Sequence, residues 1–248
     1  ELDESNQRLE GLNEQLKINE KLQKEFVNIA AHELRTPIQP ILGLTEILKS
    51  TKRDTKDYEL VDVVYRNAKR LHHLTEDILD VNRIESQSLL LNKERFNLPE
   101  MILDAIADTK NQIATKNKDN NLKLEFVVTK DNESQEDFFV VADKDRISRV
   151  ISNLLNNAIK FTNEGIITVS TEKKDNEVIV SIKDTGAGID AEILPRLFTK
   201  FATKSETGGT GLGLFISKSI VDAHGGKIRG ENNLDGKGAT FTFSLLFT

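Results

Sequence analysis

The chain has 248 residues, 38% of them hydrophobic, with 34 Lys and Arg against 40 Asp and Glu for a net charge of −6. That length can bury a sizeable core in one large or two ordinary domains, while the negative balance excludes the basic field that draws a protein to nucleic acid or an anionic membrane. Zero Cys removes disulfides, thiolate metal sites and cysteine nucleophiles together and fits a reducing compartment.

A polyanionic ligand would therefore need a local site, with a metal ion to help. No run reaches the apolar length that spans a bilayer, and no signal-peptide pattern is present. The first residue is Glu1 rather than Met, which reads as an excised soluble fragment, cytoplasmic by expectation, with a membrane anchor upstream left open.

In chain order, Leu9, Leu12, Leu16, Leu22, Phe26 and Ile29 mark a helical seam whose spacing slips between Leu16 and Leu22, like a coiled-coil stutter. The helix is expected to run on into a second seam of Val27, Ala31, Leu34, Ile38, Ile41 and Leu48, with His32 one residue, about 100° of turn, off that seam. The imidazole is thus expected at the edge of the packed face beside Glu33, open to a second reactant. The same position also suits a solvated or hydrogen-bonded bystander. Pro37 and Pro40 remove backbone donors just beyond it and are expected to bend or loosen the helix. The polar run 49–57 predicts a turn, and Leu60, Val64, Leu71, Leu74, Ile78 and Val81 predict a second helix at heptad spacing. One hairpin cannot cover both apolar faces, so the economical solution is a homodimer whose hairpins form a four-helix bundle. His72 and His73 on this helix, and His224 near a later helix end, read as structural or exposed.

Beyond a boundary near Phe96-Asn97-Leu98-Pro99 the pattern turns mixed. Strands are predicted at 122–129, 138–143, 166–171, 178–184 and 239–247, with Val178/Val180/Ile182 and Phe241/Phe243/Leu245/Phe247 alternating cleanly. Helices are predicted near 98–113, 144–161 and 211–223. Strand pairs interspersed with helices predict an α+β two-layer sandwich rather than a doubly wound sheet.

Three segments here point to chemistry. On the helix 144–161, Asn153, Asn157 and Lys160 lie at i, i+4 and i+7 on one face, while Val150, Ile151, Leu154, Leu155 and Ala158 hold the other. Amide oxygens suit Mg²⁺ and an ammonium suits phosphate. Next, Asp184-Thr185-Gly186-Ala187-Gly188 follows a strand; its glycines allow close approach to a planar ligand, and its carboxylate accepts from an amino group, which adenine offers and guanine does not. Finally, Gly208-Gly209-Thr210-Gly211-Leu212-Gly213-Leu214 opens a helix, presenting unpaired N–H groups to phosphates. Each segment alone also suits a solvated face, a turn or a flexible loop.

The set His32-Glu33-Leu34-Arg35-Thr36-Pro37, the Asn153 to Thr162 helix, Asp184 to Gly188, Leu197-Phe198-Thr199-Lys200-Phe201 and Gly209 to Leu214 resembles the sensor histidine kinases of two-component signalling. The resemblance spans about Leu22 to Phe247. It implies a signalling helix over residues 1–24, a dimerisation and histidine-phosphotransfer hairpin over 25–95, and, over 96–248, an ATP-binding domain of the gyrase and heat-shock-chaperone type. It implies that His32 accepts the γ-phosphoryl group of ATP, that Glu33 orients the imidazole and acts as base, and that Thr36 orients water to dephosphorylate a partner response regulator. It further implies Mg²⁺ on Asn157, with Asn153 supporting nucleotide and metal, Lys160 on phosphate, Phe161 near the adenine and Asp184 reading its amino group. Gly186 and Gly188 would shape that pocket, and a mobile lid from about Asp190 to Gly213, including Gly209, Thr210, Gly211 and Leu212, would cover the triphosphate. Where the family often has an aromatic and an arginine, this chain has Ala202-Thr203-Lys204, which moves the expected phosphate contact to Lys204; Ala239 stands where Thr is common.

Two rival readings remain. Asp184-Thr185-Gly186-Ala187 also resembles the aspartic-protease triplet, which the flanking helical signals contradict. A non-catalytic, nucleotide-gated dimeric scaffold would keep the same fold. A zinc site of the HExxH kind is excluded, because position 36 is Thr.

Overall fold

The computed structural model describes residues 8, 11–14, 34, 36–48, 56–85, 89–115, 122–128, 138–203 and 210–247. The chain divides into two units, Glu1–Leu79 and Asp80–Thr248.

In the first unit, α1 is described over residues 36–48 and is helical throughout, Pro37 and Pro40 included. The expected loosening at the prolines is therefore not a break in the helix. The Thr45 hydroxyl donates back to the carbonyls of Ile41 (2.8 Å) and Leu42 (2.9 Å). The second helix, α2, is Lys56–Glu85. It starts inside the polar run, so the turn expected through Asp57 ends earlier, and residues 49–55 lie outside the described ones. Along α2 the predicted seam separates as periodicity requires: Val64 and Leu71 are half-buried and Leu74 is buried, whereas Val61, Tyr65 and Leu79 are exposed. Leu42 and Ile47 of α1 are also exposed.

The second unit is a two-layer α+β sandwich. Its five-stranded sheet has the order β2-β4-β5-β7-β6, from β2 (Leu122–Val128), β4 (Gly165–Lys174), β5 (Glu177–Asp184), β6 (Ile228–Asn232) and β7 (Ala239–Leu246). Only β2 and β4 pair in parallel; the other neighbours are antiparallel. A separate ribbon joins β1 (Glu94–Asn97) and β3 (Phe139–Ala142), with Glu94 opposite Ala142. All five predicted strands are present; β1 and β6 are additional. Both are short, and their Arg, Glu and Asn residues hide the alternation by which strands are read.

The register shows why the sheet has one dry face. Val169, Ile182 and Phe241 stand in one cross-strand row, and Thr171, Val180 and Phe243 in the next. Val178, Val180, Ile182, Phe243 and Leu245 are almost wholly inaccessible. Three helices cover this face: α3 (Leu98–Thr115) lies against β2, α4 (Lys144–Phe161) against β5, and α5 (Gly213–Ala223) against β6 and β7, with α4 in the middle. The apolar stripe of α4 (Ile147, Val150, Ile151, Leu154, Leu155 and Ala158) is buried between sheet and neighbours, as its spacing predicts. Removing such side chains from water is worth roughly 1.5–3 kcal/mol each, which is why this helix holds its polar stripe rigidly.

Candidate nucleotide-binding site

Asp184 is the next inward position after Val178, Val180 and Ile182, so the alternation that builds the core carries a carboxylate into it. It is 3% exposed. One carboxylate oxygen, Oδ1, accepts the backbone N–H groups of Gly186 (2.9 Å) and Ala239 (3.3 Å). The other has no donor among the described residues. Burial pushes the Asp184 carboxyl above its ordinary range, and the two backbone N–H groups partly oppose that rise. The result is a buried acceptor waiting for a donor.

The surrounding loop approaches its neighbours too closely for side chains. A Cβ on Gly186 would stand 2.3 Å from the Phe161 carbonyl oxygen and 2.7 Å from the Thr162 hydroxyl. Ala187 N–H donates to that same Phe161 carbonyl at 3.1 Å, tying the loop to the end of α4. The Thr162 hydroxyl beside it is buried and has no hydrogen-bond partner among the described residues. Gly188 has φ of +75°, a backbone that favours glycine.

On α4, Asn153, Asn157 and Lys160 share the predicted face. The helix starts where the Asp143 side chain accepts the Arg146 N–H at 3.1 Å. Asn153 donates from Nδ2 to the Ser217 hydroxyl at 2.9 Å, and a Cβ on Gly213 would stand 2.3 Å from its oxygen. Its amide therefore braces α5 against α4. Asn157 is half-buried with no hydrogen-bond partner among the described residues. The Lys160 ammonium lies 5.0 Å over the Phe161 ring, itself 39% exposed.

The glycine-rich segment leads into α5. Thr210 accepts the Leu212 N–H at 3.3 Å, and Leu212 is buried. Leu212, the N-cap residue, makes no side-chain cap, so among the described residues no side chain closes the first turn of α5 against an anion. Gly211, with φ of +66°, lies against Phe201, whose N–H donates to the Gly211 carbonyl at 3.0 Å. A one-turn 3₁₀ helix, Leu194–Arg196, precedes that contact. His32, Glu33, Lys204 and Gly209 lie outside the described residues; Thr36 is exposed on α1.

Two asparagines outside the predicted site hold the Asp184–Ile189 loop. Asn233 donates to the Asp184 carbonyl at 2.8 Å, and Asn232 accepts from the Ile189 N–H at 2.6 Å. The only signal in the sequence is an Asn pair just before Gly236 and Gly238. His224, by contrast, is structural: its Nε2 accepts the Asp143 N–H at 2.9 Å while Nδ1 meets the Ile220 carbonyl at 2.8 Å. Burial lowers its pKa below the ordinary imidazole value, which keeps Nε2 free to accept. Asp80 is also buried, and it takes Arg149 together with Arg146 and Arg83, each of these last two at 3.6 Å.

Two families match the chain. The His Kinase A (phospho-acceptor) domain matches residues 22–87, and the histidine kinase-, DNA gyrase B-, and HSP90-like ATPase matches residues 142–248. The catalytic domain of histidine kinase ThkA, 34% identical, aligns over 97% of its own length and 63% of this chain with a TM-score of 0.52. The chain belongs to the sensor histidine kinases. Acinetobacter baumannii histidine kinase AdeS is similar over 88% of this chain and 98% of its own, at 28% identity and a TM-score of 0.68. Sensor protein ChvG of Agrobacterium fabrum is 32% identical over 233 residues, 90% of this chain and 39% of its own length. ThkA has also been solved in complex with response regulator protein TrrA, and this chain matches that structure at 30% identity and a TM-score of 0.64, over 95% of itself and 64% of that chain. This kinase core spans between 25% and 40% of the curated relatives it matches. No helix among the described residues is long and apolar enough to cross a membrane.

Proposed function

We propose that this chain is the catalytic core of a two-component sensor kinase that uses Mg-ATP to phosphorylate His32 and passes the phosphoryl group to an aspartate on a response regulator. The observation that carries the nucleotide half is Asp184: a buried carboxylate with one oxygen satisfied and, among the described residues, no donor to the other, near a Thr162 hydroxyl likewise without a described partner, fits an adenine amino group and its hydration. Gly186 and Gly188 shape this pocket, and Phe161 covers its rim. The unpartnered Asn157 amide fits Mg²⁺, whose role when bound is to neutralise charge on the phosphates; Asn153 supports it from the same face. Lys160, Lys204, Gly209 and the N–H groups of Thr210, Gly211 and Gly213 hold the triphosphate, with Leu212 bracing the loop through its bond to Thr210, and the segment from Asp190 to Gly213 acts as its lid.

In the reaction a ring nitrogen of His32 bonds to the γ-phosphorus as the bond from that phosphorus to the β,γ-bridging oxygen breaks. ADP leaves, and Glu33 takes the imidazole proton. The P–N bond then breaks as a regulator aspartate oxygen attacks. Positioning and charge neutralisation dominate such transfers. Thr36, four residues after His32 in sequence, orients water for hydrolysis of the regulator's aspartyl phosphate, which releases inorganic phosphate.

Residues 1–24 form a coiled-coil signalling helix, 25–95 the phosphotransfer hairpin and 96–248 the ATP-binding domain. The exposed Leu42, Ile47, Val61 and Tyr65 support a homodimer whose hairpins complete a four-helix bundle. A response regulator as partner is supported by the ThkA complex with TrrA.

Incubation with radiolabelled Mg-ATP beside His32→Gln tests the reading. An acid-labile, alkali-stable label that vanishes in the variant supports it. Nucleotide binding without label, and no dephosphorylation of a phosphorylated regulator, would favour the nucleotide-gated scaffold instead. Thr36→Ala should spare labelling and reduce regulator dephosphorylation.

A further inference from the structure

We propose that Asn232 and Asn233 are positioning residues that set the purine selectivity of the nucleotide site; the inference rests on the reading of Asp184 as the adenine-recognition residue. The β5–β7 ladder ends at Lys183 opposite Thr240, so the Asp184 carbonyl lies one residue past the last pair on that side. Asn233 takes over there. Its Nδ2 donates to the Asp184 carbonyl at 2.8 Å and to the Lys237 carbonyl at 2.6 Å, while its Oδ1 accepts the Thr240 hydroxyl at 2.6 Å. An amide engaged at both ends cannot turn without breaking all three bonds.

Asn232 grips the far end of the same loop. Its Oδ1 accepts the Ile189 N–H at 2.6 Å and its Nδ2 donates to the Ile189 carbonyl at 2.9 Å, so it holds both polar groups of one residue as a strand neighbour would. Between these ends Ala187 is held by the Phe161 carbonyl at 3.1 Å. Three fixed points in the segment 184–189 hold the backbone from which Asp184 projects, and the Gly186 and Ala239 N–H groups that hold its Oδ1 keep their places only while that backbone does.

Direction matters more than affinity here. Adenine presents an amino donor where guanine presents a carbonyl acceptor, so a correctly aimed carboxylate gains a hydrogen bond with one base and meets repulsion with the other. A carboxylate free to swing loses much of that contrast. Asparagine is the side chain for the task because it donates and accepts at the same reach; Asp at 233 would set oxygen against the carbonyls of Asp184 and Lys237.

The test is calorimetric titration of the full chain, in Mg²⁺, with the non-hydrolysable imido analogues of ATP and GTP, comparing wild type, Asp184→Asn, Asn233→Asp and Asn232→Ala. Asn233→Asp is expected to weaken the adenine nucleotide about tenfold, with the guanine nucleotide little changed, and Asn232→Ala about threefold. The same ratio of affinities in both variants, or a loss of binding-competent fraction at constant Kd, would make the asparagines mere scaffolding and overturn the inference. If Asn233→Asp fails to fold, the exposed Asn232→Ala decides alone. Wild type without an adenine preference, or Asp184→Asn retaining one, would instead overturn the reading of Asp184, and the inference with it.

Discussion

Gly236 and Gly238 sit two residues apart in the β6–β7 hairpin with nearly the same backbone, φ of +73° and +74°. Alanine at either meets the same left-handed penalty of about 1–2 kcal/mol, offset by about 0.4–1 kcal/mol from a stiffer unfolded chain. These contributions cancel in the difference between the two variants. What remains is space: a Cβ at Gly236 meets nothing within 4 Å, whereas one at Gly238 would stand 2.1 Å from the Asp184 carbonyl oxygen and 2.7 Å from its carboxylate. Backbone on that side cannot swing away like a flexible side chain, so Gly238→Ala should cost about 1–3 kcal/mol more than Gly236→Ala, the range for overpacking. It should also displace Asp184 and weaken ATP binding, which Gly236→Ala should not. The chain has no Trp, and its two Tyr, Tyr58 and Tyr65, both belong to α2, so neither residue type stands in this hairpin as a fluorescence probe. Hydrogen exchange of the β5 and β7 amides would. Equal protection in the two variants would refute the close-approach argument and leave only backbone conformation.

Four further variants test the same structure. Asp80→Asn should destabilise the second unit by about 2 kcal/mol in urea unfolding, since it leaves three partly exposed arginines without their shared buried carboxylate; a change under about 0.5 kcal/mol, within the ordinary surface range, would make the cluster incidental. Because His224 titrates below its ordinary value of 6.5 in the fold, the unfolded chain binds more protons there. Its stabilising share is thus present above pH 6.5 and declines as pH falls below that value, and His224→Gln should flatten the dependence of Tm on pH over that window. The Thr171 and Thr162 hydroxyls are both buried with no partner among the described residues, so Thr171→Val should stabilise by about 1 kcal/mol, as removal of an unsatisfied buried hydroxyl does. Thr162→Val should do the same to folding yet weaken ATP binding; unchanged affinity would exclude Thr162 from the pocket.

The sequence by itself determined the layers and the chemistry classes. Strict alternation in Val178/Val180/Ile182 and Phe241/Phe243/Leu245, and 3.6-residue periodicity in the helix 144–161, left one way to bury each element, and the observed burial follows it. Asp184 was legible as a recognition residue because glycines follow a strand end. Its burial was not read from the sequence, although the alternation that fixes Ile182 inward already points it into the core. What only the tertiary structure decided are contacts between segments far apart in the chain. Asn153 faces the predicted way, yet its Nδ2 also donates to Ser217, 64 residues on. His224 gave no sign that it would bond to Asp143, 81 residues before it, and Asn232 and Asn233 were unremarkable until a hairpin 43 to 49 residues downstream folded onto the Asp184 loop. Periodicity records which face of an element is dry because burial is a property of one residue and its neighbours along the chain. A hydrogen bond needs two partners, and their meeting is fixed only when strand register and helix packing bring distant segments within 3 Å or so.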